Sequence, residues 1–258
     1  MRRSRDAAGA AVRPEVLADG AVDLWYGTFS DLATLIPNPE AVLSDDERCR
    51  ADRFHFEKDR TPYVLGRGFL RHIAGLYLGQ SPQSLRFQYG EFGKPALEGN
   101  LHFNVSHSGE RALMAFGRGR RLGVDIEKID WKIDVLEIAT GFFSDREVAD
   151  LRLLEGRDRQ RAFFRCWARK EAFLKGLGDG LSQPLSDFDV SIRDVEPAGL
   201  TRVAWDPAAP QRWQIRELDI DPDYMSAVAV EGFGWEPRIR HAREAFNAGL
   251  SAPGKTSA

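Results

Sequence analysis

The feature that most restricts the fold of this sequence is a series of short strand-like segments between residues 84 and 127. Strand candidates lie at residues 84–89, 101–106, 111–116 and 122–127, and apolar residues alternate with other types over 122–127. Strands joined by short connections form antiparallel pairs, because a parallel pair requires a long crossover. With helical segments on either side, this pattern predicts an α+β fold rather than a parallel α/β sheet.

Helical patterns precede and follow these strands. Ser44 and Ser144 each stand three residues before a glutamate, which is a capping box, and they open helices to about residues 56 and 155. Longer amphipathic helices are predicted over residues 62–79 and 158–176, both ending at glycines. The other predicted elements are strands at 21–29, 187–192, 201–205, 211–218 and 225–231, and a short amphipathic helix at 237–250.

Composition excludes several classes of protein. The net charge of −3, from 36 Lys+Arg against 39 Asp+Glu, argues against a general nucleic-acid binder, which carries a basic excess. Cys49 and Cys166 alone cannot form a disulfide framework or a cysteine-based zinc site, and they predict a reducing cytoplasm. No run of about 18 apolar residues is present, so we expect no membrane span, and the basic start lacks the apolar stretch of a secretory signal.

Two acidic residues share one face of the predicted strand at 122–127. Side chains alternate between the faces of a strand, so Asp125 and Glu127 point the same way, roughly 7 Å apart. Their mutual repulsion calls for a positive partner, and Mg²⁺ is suitable because it prefers oxygen ligands. A solvated strand edge, on which each acid pairs with a nearby lysine or arginine, is the alternative and the commoner meaning of so short a pattern.

The predicted helix at 158–176 carries a stripe of three chemically different residues. Trp167, Glu171 and Lys175 follow one another at intervals of four and therefore lie on one face. The glutamate is suited to complete a carboxylate metal site, and the lysine to meet a phosphate. An ordinary amphipathic helix, with a core tryptophan and a Glu171–Lys175 ion pair, explains the same spacing.

Two loops carry groups that suit phosphate binding. In residues 90–95, Gly93 permits close backbone approach and Lys94 is expected to be a free cation, although the spacing of a Walker A loop is missing. Residues 104–108, with the sequence Asn-Val-Ser-His-Ser, end a strand with small polar groups and an imidazole. The sequence contains none of the histidine motifs HxH, HxxxH and HExxH, and their absence argues against a zinc enzyme.

The order of these motifs is more specific than any one of them. The blocks GKP, NxSHS, GxDIE and WxxKEAFxK occupy residues 93–95, 104–108, 123–127 and 167–175. Together they resemble the 4′-phosphopantetheinyl transferases, and the Sfp type in particular. The likeness runs from about residue 44 to 191, and more weakly to 230. It implies transfer of the 4′-phosphopantetheine arm of coenzyme A to a serine of an apo acyl or peptidyl carrier protein, releasing adenosine 3′,5′-bisphosphate.

The resemblance also implies an architecture. Members of the family look like pseudo-dimers, in which two similar α+β halves hold the coenzyme in the cleft between them. We expect a mobile N-terminal tail at 1–20, halves at 21–119 and 120–235, and a C-terminal extension at 236–258 that ends in a second tail at 251–258. We expect a cytoplasmic monomer whose partners are coenzyme A and carrier domains, with no nucleic acid and no membrane.

Site residues follow from the same resemblance. The implied Mg²⁺ ligands are Asp125, Glu127 and Glu171, and the implied catalytic residues are Glu171, Asp125 and Lys175. The implied coenzyme-binding residues are Arg50, Arg53, Gly93, Lys94, Pro95, Asn104, Ser106, His107, Asp125, Lys170, Glu171 and Lys175. Glu47 stands where the family has a second basic residue near the 3′-phosphate of the coenzyme, and Arg53 is the candidate substitute.

Some alternatives stay open at this level. Glu171 could accept the proton of the carrier serine directly or through a bound water. A coenzyme A-binding module without transfer activity and a Mg²⁺-dependent phosphodiester hydrolase are the other candidate functions. Whether the carrier belongs to fatty acid, polyketide or nonribosomal peptide synthesis is not encoded in any of these motifs.

Overall fold

The computed structural model describes residues 17, 20–90, 93–178, 183–193 and 197–247. The tails expected at 1–20 and 251–258 lie outside the described residues, except for Leu17 and Gly20. No helix among the described residues combines the length and apolar character that a membrane crossing requires.

The first half of the chain places helices between a first strand and a later strand pair. Its elements are β1 (Ala21–Thr28), α1 (Phe29–Leu35), α2 (Asp45–Ala51), α3 (Glu57–Leu78), β2 (Gln88–Tyr89), β3 (Pro95–Ala96), β4 (Leu101–Ser108) and β5 (Arg111–Arg118).

The second half repeats that order. Its elements are β6 (Leu122–Lys128), α4 (Val135–Phe142), α5 (Asp145–Arg152), α6 (Gly156–Leu177), β7 (Phe188–Val190), β8 (Leu200–Val203), β9 (Trp213–Glu217) and β10 (Tyr224–Glu231). The chain then continues through β11 (Glu236–His241) and α7 (Ala242–Asn247).

Each half packs a long helix against its own sheet. The first sheet has the order β11-β1-β5-β4 and the second the order β6-β10-β9. The helices α3 and α6 are both 22 residues long, and their apolar faces contribute to separate buried cores. Helices and largely antiparallel strands are therefore combined in two similar halves, which confirms the α+β fold and the two-half arrangement expected from the sequence.

The glutamates of the two capping boxes have equivalent basic partners in the two halves. Glu47 is buried and forms an ion pair with Arg71 of α3, with Nε 2.6 Å from the carboxylate. Glu147 is equally buried and pairs with Lys170 of α6 at 2.8 Å. Arg71 and Lys170 occupy the same position of the two long helices. A buried charge is tolerated only when it is paired, so this repeated ion pair is part of how each short helix is fixed to its long one.

The C-terminal segment differs from its prediction. Residues 236–241 of the expected extension form the strand β11 and not the start of a helix, and helix α7 begins only at Ala242. β11 pairs with β1 in parallel, and Arg238 bonds through both Nε and Nη2 to Asp23, which is fully buried. Tertiary pairing with a buried carboxylate therefore overrides the local helical pattern.

Two element boundaries are also corrected. Helix α3 begins at Glu57 rather than 62, with Glu57 and Asp59 in its first turn, where acidic side chains are favourable. The strand predicted at 84–89 is confined to Gln88–Tyr89, because the carbonyl of Leu85 accepts a hydrogen bond from Arg71 and is held by the helix.

Candidate active site

The two sheets meet at β4 and β6, each of which is the last strand of its sheet. Across this junction, the hydroxyl of Ser106 donates to Asp125 at 2.7 Å and that of Ser108 donates to Glu127 at 2.9 Å. The junction of the halves therefore brings together residues of the NxSHS and GxDIE motifs.

Asp125 lies at the centre of this junction and is 1% exposed. Its Oδ1 accepts hydrogen bonds from Ser106 and from the ammonium of Lys175, the latter at 2.6 Å. Its Oδ2 is buried and has no hydrogen-bond partner within the described part of the chain. A buried carboxylate oxygen without a donor is costly, so this atom is suited to receive a ligand.

Gly123 allows helix α6 to lie against β6 closely enough to form this site. A Cβ at this position would lie 2.1 Å from the carbonyl oxygen of Ala172 and 2.2 Å from the amide nitrogen of Gly176. Only a glycine fits so close a backbone approach. The first residue of the GxDIE motif therefore controls the distance between Asp125 and Lys175.

Helix α6 presents the predicted stripe to the cleft. Trp167, Glu171 and Lys175 are the residues between 162 and 176 that remain partly exposed, while their neighbours are buried. Burial, and then the charge of Asp125, raise the pKa of Glu171. The negative charge of Asp125 disfavours ionisation of Glu171, and the raised pKa makes Glu171 a better proton acceptor.

Glu127 extends the acidic cluster towards solvent. Burial, followed by the charge of Asp125, raises the pKa of Glu127 to about 7. As placed, no group of three or more His, Cys, Asp and Glu side chains in the described ranges could hold a metal ion. The acids are thus near enough to interact electrostatically, although they are not arranged as a finished coordination shell.

His107 lies on the solvent side of β4, and its ring meets that of Phe29 edge-on at 6.1 Å. Burial, and then the charge of Lys175, lower the pKa of His107. The imidazole is therefore neutral at neutral pH and can donate one hydrogen bond. Asn104, three residues before it, is buried and accepts a hydrogen bond from the amide of Val124 at 2.9 Å.

The residues of the GKP motif join the β2–β3 hairpin to the second half. The ammonium of Lys94 donates to the carbonyl oxygens of Lys175 and Leu122, so it is not the free cation that the sequence suggested. Pro95 belongs to β3 and, with Lys94 and Gly178, lines a cavity of about 270 Å³. Glu91 and Phe92 of the same loop lie outside the described residues.

A larger cavity of about 720 Å³ lies beside helix α2. Arg50, Arg53 and Gly93 line it together with Cys49 and Tyr89. The structure therefore brings both predicted arginines and the glycine of the GKP motif to one open cavity.

Two residues behind this cavity were not identified from the sequence. The guanidinium of Arg67 lies 5.9 Å from the ring centroids of both Tyr63 and Tyr89, and its side chain is only 9% exposed. Among the described residues, neither Nη1 of Arg67 nor the hydroxyl of Tyr63 has a hydrogen-bond partner, although both atoms are buried. The available signal was their spacing of four along the predicted helix at 62–79.

Lys170 is the one predicted site residue that the structure places in a core. It is fully buried, and its ammonium contacts Glu147 and the carbonyl oxygens of Leu185 and Phe188. A lysine has three donor hydrogens, all of which are used here. In the first half, Arg71 is the equivalent of Lys170, and it forms a buried ion pair with Glu47. This ion pair explains why residue 47 is acidic.

Known proteins resemble most of the described region. A model of the 4′-phosphopantetheinyl transferase superfamily matches residues 121–229, and a model described as 4′-phosphopantetheinyl transferase, N-terminal, matches residues 26–117. The chain is 39% identical over 230 residues to the 4′-phosphopantetheinyl transferase HetI of Nostoc sp., covering 87% of this chain and 94% of that protein. It is 32% identical over 210 residues to the 4′-phosphopantetheinyl transferase Sfp of Bacillus subtilis, covering 80% and 91%.

Proposed function

The chain belongs to the 4′-phosphopantetheinyl transferase superfamily, and we propose that it transfers the 4′-phosphopantetheine arm of coenzyme A to a serine hydroxyl of an apo acyl or peptidyl carrier protein. The other product is adenosine 3′,5′-bisphosphate. The observation that carries this proposal is the meeting of Asp125, Glu171 and Lys175 at the junction of the halves, with one buried oxygen of Asp125 left without a donor among the described residues.

We propose Mg²⁺ as the cation that this cluster holds. The unpartnered Oδ2 of Asp125 and the raised pKa values of Glu127 and Glu171 indicate an excess of negative charge, which a hard divalent cation relieves. Asp125, Glu127 and Glu171 would hold it, after their side chains turn towards one another. When bound, Mg²⁺ neutralises charge on the diphosphate of the coenzyme.

The chain's own groups account for the transfer step. The serine oxygen of the carrier forms a bond to the phosphorus that bears the pantetheine arm, while the bond from that phosphorus to the bridging oxygen breaks. The bisphosphate leaves with the electron pair, and Glu171 accepts the serine proton, aided by its raised pKa. Lys175 and His107 donate hydrogen bonds to phosphate oxygens and hold the diphosphate in place.

The cavity beside α2 is proposed to hold the 3′-phosphate of the coenzyme. Arg50 and Arg53 line it, and Arg67 lies behind it with a buried N–H that no described residue accepts. Guanidinium groups bind phosphate with paired hydrogen bonds. Arg67 and Arg71 both pair with the single carboxylate of Glu47, at 3.6 and 2.6 Å, so one positive charge is left over for the phosphate.

We also expect a monomer that acts in the cytoplasm. Both halves of the proposed site belong to one chain, so no second copy is needed to complete it. The carrier belongs to fatty acid, polyketide or nonribosomal peptide synthesis, and an assay over carriers of the three classes identifies which one.

The decisive experiment incubates the protein with coenzyme A, Mg²⁺ and a panel of apo carrier domains. We expect the mass of at least one carrier to increase by one phosphopantetheine group, and Glu171→Gln to reduce the rate by at least about 100-fold with a melting temperature at or above that of wild type. Release of bisphosphate without a carrier would instead indicate a hydrolase. Tight coenzyme binding without modification of any carrier would indicate a binding module.

A further inference from the structure

Three polar side chains of β4 face the free edge of β6 at regular spacing. Asn104, Ser106 and Ser108 alternate along β4, and each accepts a hydrogen bond from a backbone amide of β6. The donors lie 20 residues further along the chain in every case, so the strands run parallel in a fixed register. Side chains thus satisfy the edge amides that a further strand would otherwise pair.

Ser106 and Ser108 also donate a hydrogen bond to a carboxylate of β6. The hydroxyl of Ser106 accepts a hydrogen bond from the amide of Ile126 at 3.4 Å and donates one to Asp125, the residue before Ile126, at 2.7 Å. Ser108 repeats the pattern, since it receives the amide of Lys128 at 3.1 Å and donates to Glu127 at 2.9 Å. Because the backbone amide occupies an acceptor site of each hydroxyl, the single O–H is directed at the carboxylate.

This arrangement opposes the repulsion between the two acids. Asp125 and Glu127 share one face of β6, two residues apart, so their like charges repel one another. Without a donor, the longer Glu127 side chain would swing away towards water. Each serine also occupies a defined oxygen, Oδ1 of Asp125 and Oε2 of Glu127.

We propose that Ser106 and Ser108 are positioning residues, which orient the carboxylates of Asp125 and Glu127 for a divalent cation. Because the serines belong to the first half and the carboxylates to the second, this orientation depends on the contact between the two halves. This inference rests on the metal site of the proposed function. Groups that orient metal ligands typically change metal affinity by about 10- to 100-fold when they are removed. Ser108 is the better residue to test because, unlike Ser106, it does not contact Lys175.

The test compares Ser108→Thr with Ser108→Val, which have similar size and both suit a strand, but only threonine keeps the hydroxyl. Mn²⁺ is titrated into protein that contains coenzyme A but no carrier, and the fraction of free Mn²⁺ is measured by electron paramagnetic resonance. We expect Ser108→Val to weaken Mn²⁺ binding by about tenfold and Ser108→Thr to keep most of the wild-type affinity. In transfer assays, the half-saturating Mg²⁺ concentration should rise in the same order, with little change in the KM for the carrier.

A matched control separates positioning from stability. The buried hydroxyl of Ser226, on the neighbouring strand β10, donates to the carbonyl of Leu218 at 2.9 Å and forms no hydrogen bond with a carboxylate of the described residues. Ser226→Ala should lower the melting temperature without changing Mn²⁺ affinity. Equal Mn²⁺ affinity in wild type and Ser108→Val would overturn the positioning role and leave the transferase proposal intact. A wild-type enzyme that transfers in excess chelator would overturn both the metal site and this inference.

Discussion

At the scale of single residues, the junction between the halves changes the pKa of Glu127. Burial and the charge of Asp125 raise the pKa of Glu127 from 4.5 to about 7. Because the unfolded chain ionises this group more readily, the folded form is penalised as the pH rises through that interval, and the penalty is complete above it. Bound cation would reverse the effect by favouring the ionised carboxylate.

We therefore predict that Glu127→Gln stabilises the cation-free protein in a pH-dependent way. In chelator, the gain in free energy of unfolding over wild type should grow from nearly zero at about pH 4.5 to about 3 kcal/mol above pH 7. Urea denaturation at several pH values measures it. A gain that is constant with pH would show that the Glu127 carboxylate is not perturbed by folding.

A second prediction concerns the buried guanidinium of Arg67. Arg67→Met should weaken the binding of coenzyme A by about 10- to 100-fold, while the binding of dephospho-coenzyme A, which lacks the 3′-phosphate, should change little. Isothermal titration calorimetry with both ligands measures the two effects. The methionine keeps the contacts with the rings of Tyr63 and Tyr89, so the fold is expected to persist. An equal loss for both ligands would assign Arg67 a structural role only.

At the scale of elements, the site depends on how closely α6 lies against β6. The pattern of Trp167, Glu171 and Lys175 required only the helical repeat, and it is visible in the sequence. The short distance from Lys175 to Asp125 depends in addition on the absence of a side chain at Gly123, where an added Cβ would lie within 2.2 Å of backbone atoms of α6. The geometry of the site therefore depends on the packing of α6 against β6 and not on either element alone.

We predict that Gly123→Ala displaces α6 from β6 and inactivates the enzyme. The obstruction is backbone, which has no rotamer to yield, so the free energy of unfolding should fall by about 3 kcal/mol or more. Gly119→Ala is an informative comparison: no described atom would lie within 4 Å of its new Cβ, although its φ of +63° makes some strain unavoidable. Thermal melting and the carrier assay measure both variants, and near-normal transfer by Gly123→Ala would refute this packing argument.

At the scale of the whole molecule, local patterns predicted most elements but not how distant segments meet. The capping boxes at Ser44 and Ser144 and the strands around 101–127 depend on neighbouring residues, and the structure contains them. The burial of Lys170 depends on Glu147 and on carbonyls of a later loop, and a motif match alone cannot distinguish it from a site lysine. The parallel strand β11 is specified by Asp23, at the other end of the chain, and was therefore missed.

The pairing of β11 with β1 has a consequence for synthesis. Asp23 leaves the ribosome early, but Arg238, its ionic partner, is made 215 residues later. At about 5–20 residues per second, the nascent first half waits on the order of 10–40 s with only Tyr77, among the described residues of that half, bonded to that carboxylate and with β1 exposed along one edge. The half that is translated first is therefore the last to finish its sheet, because β11 follows every strand of the second sheet.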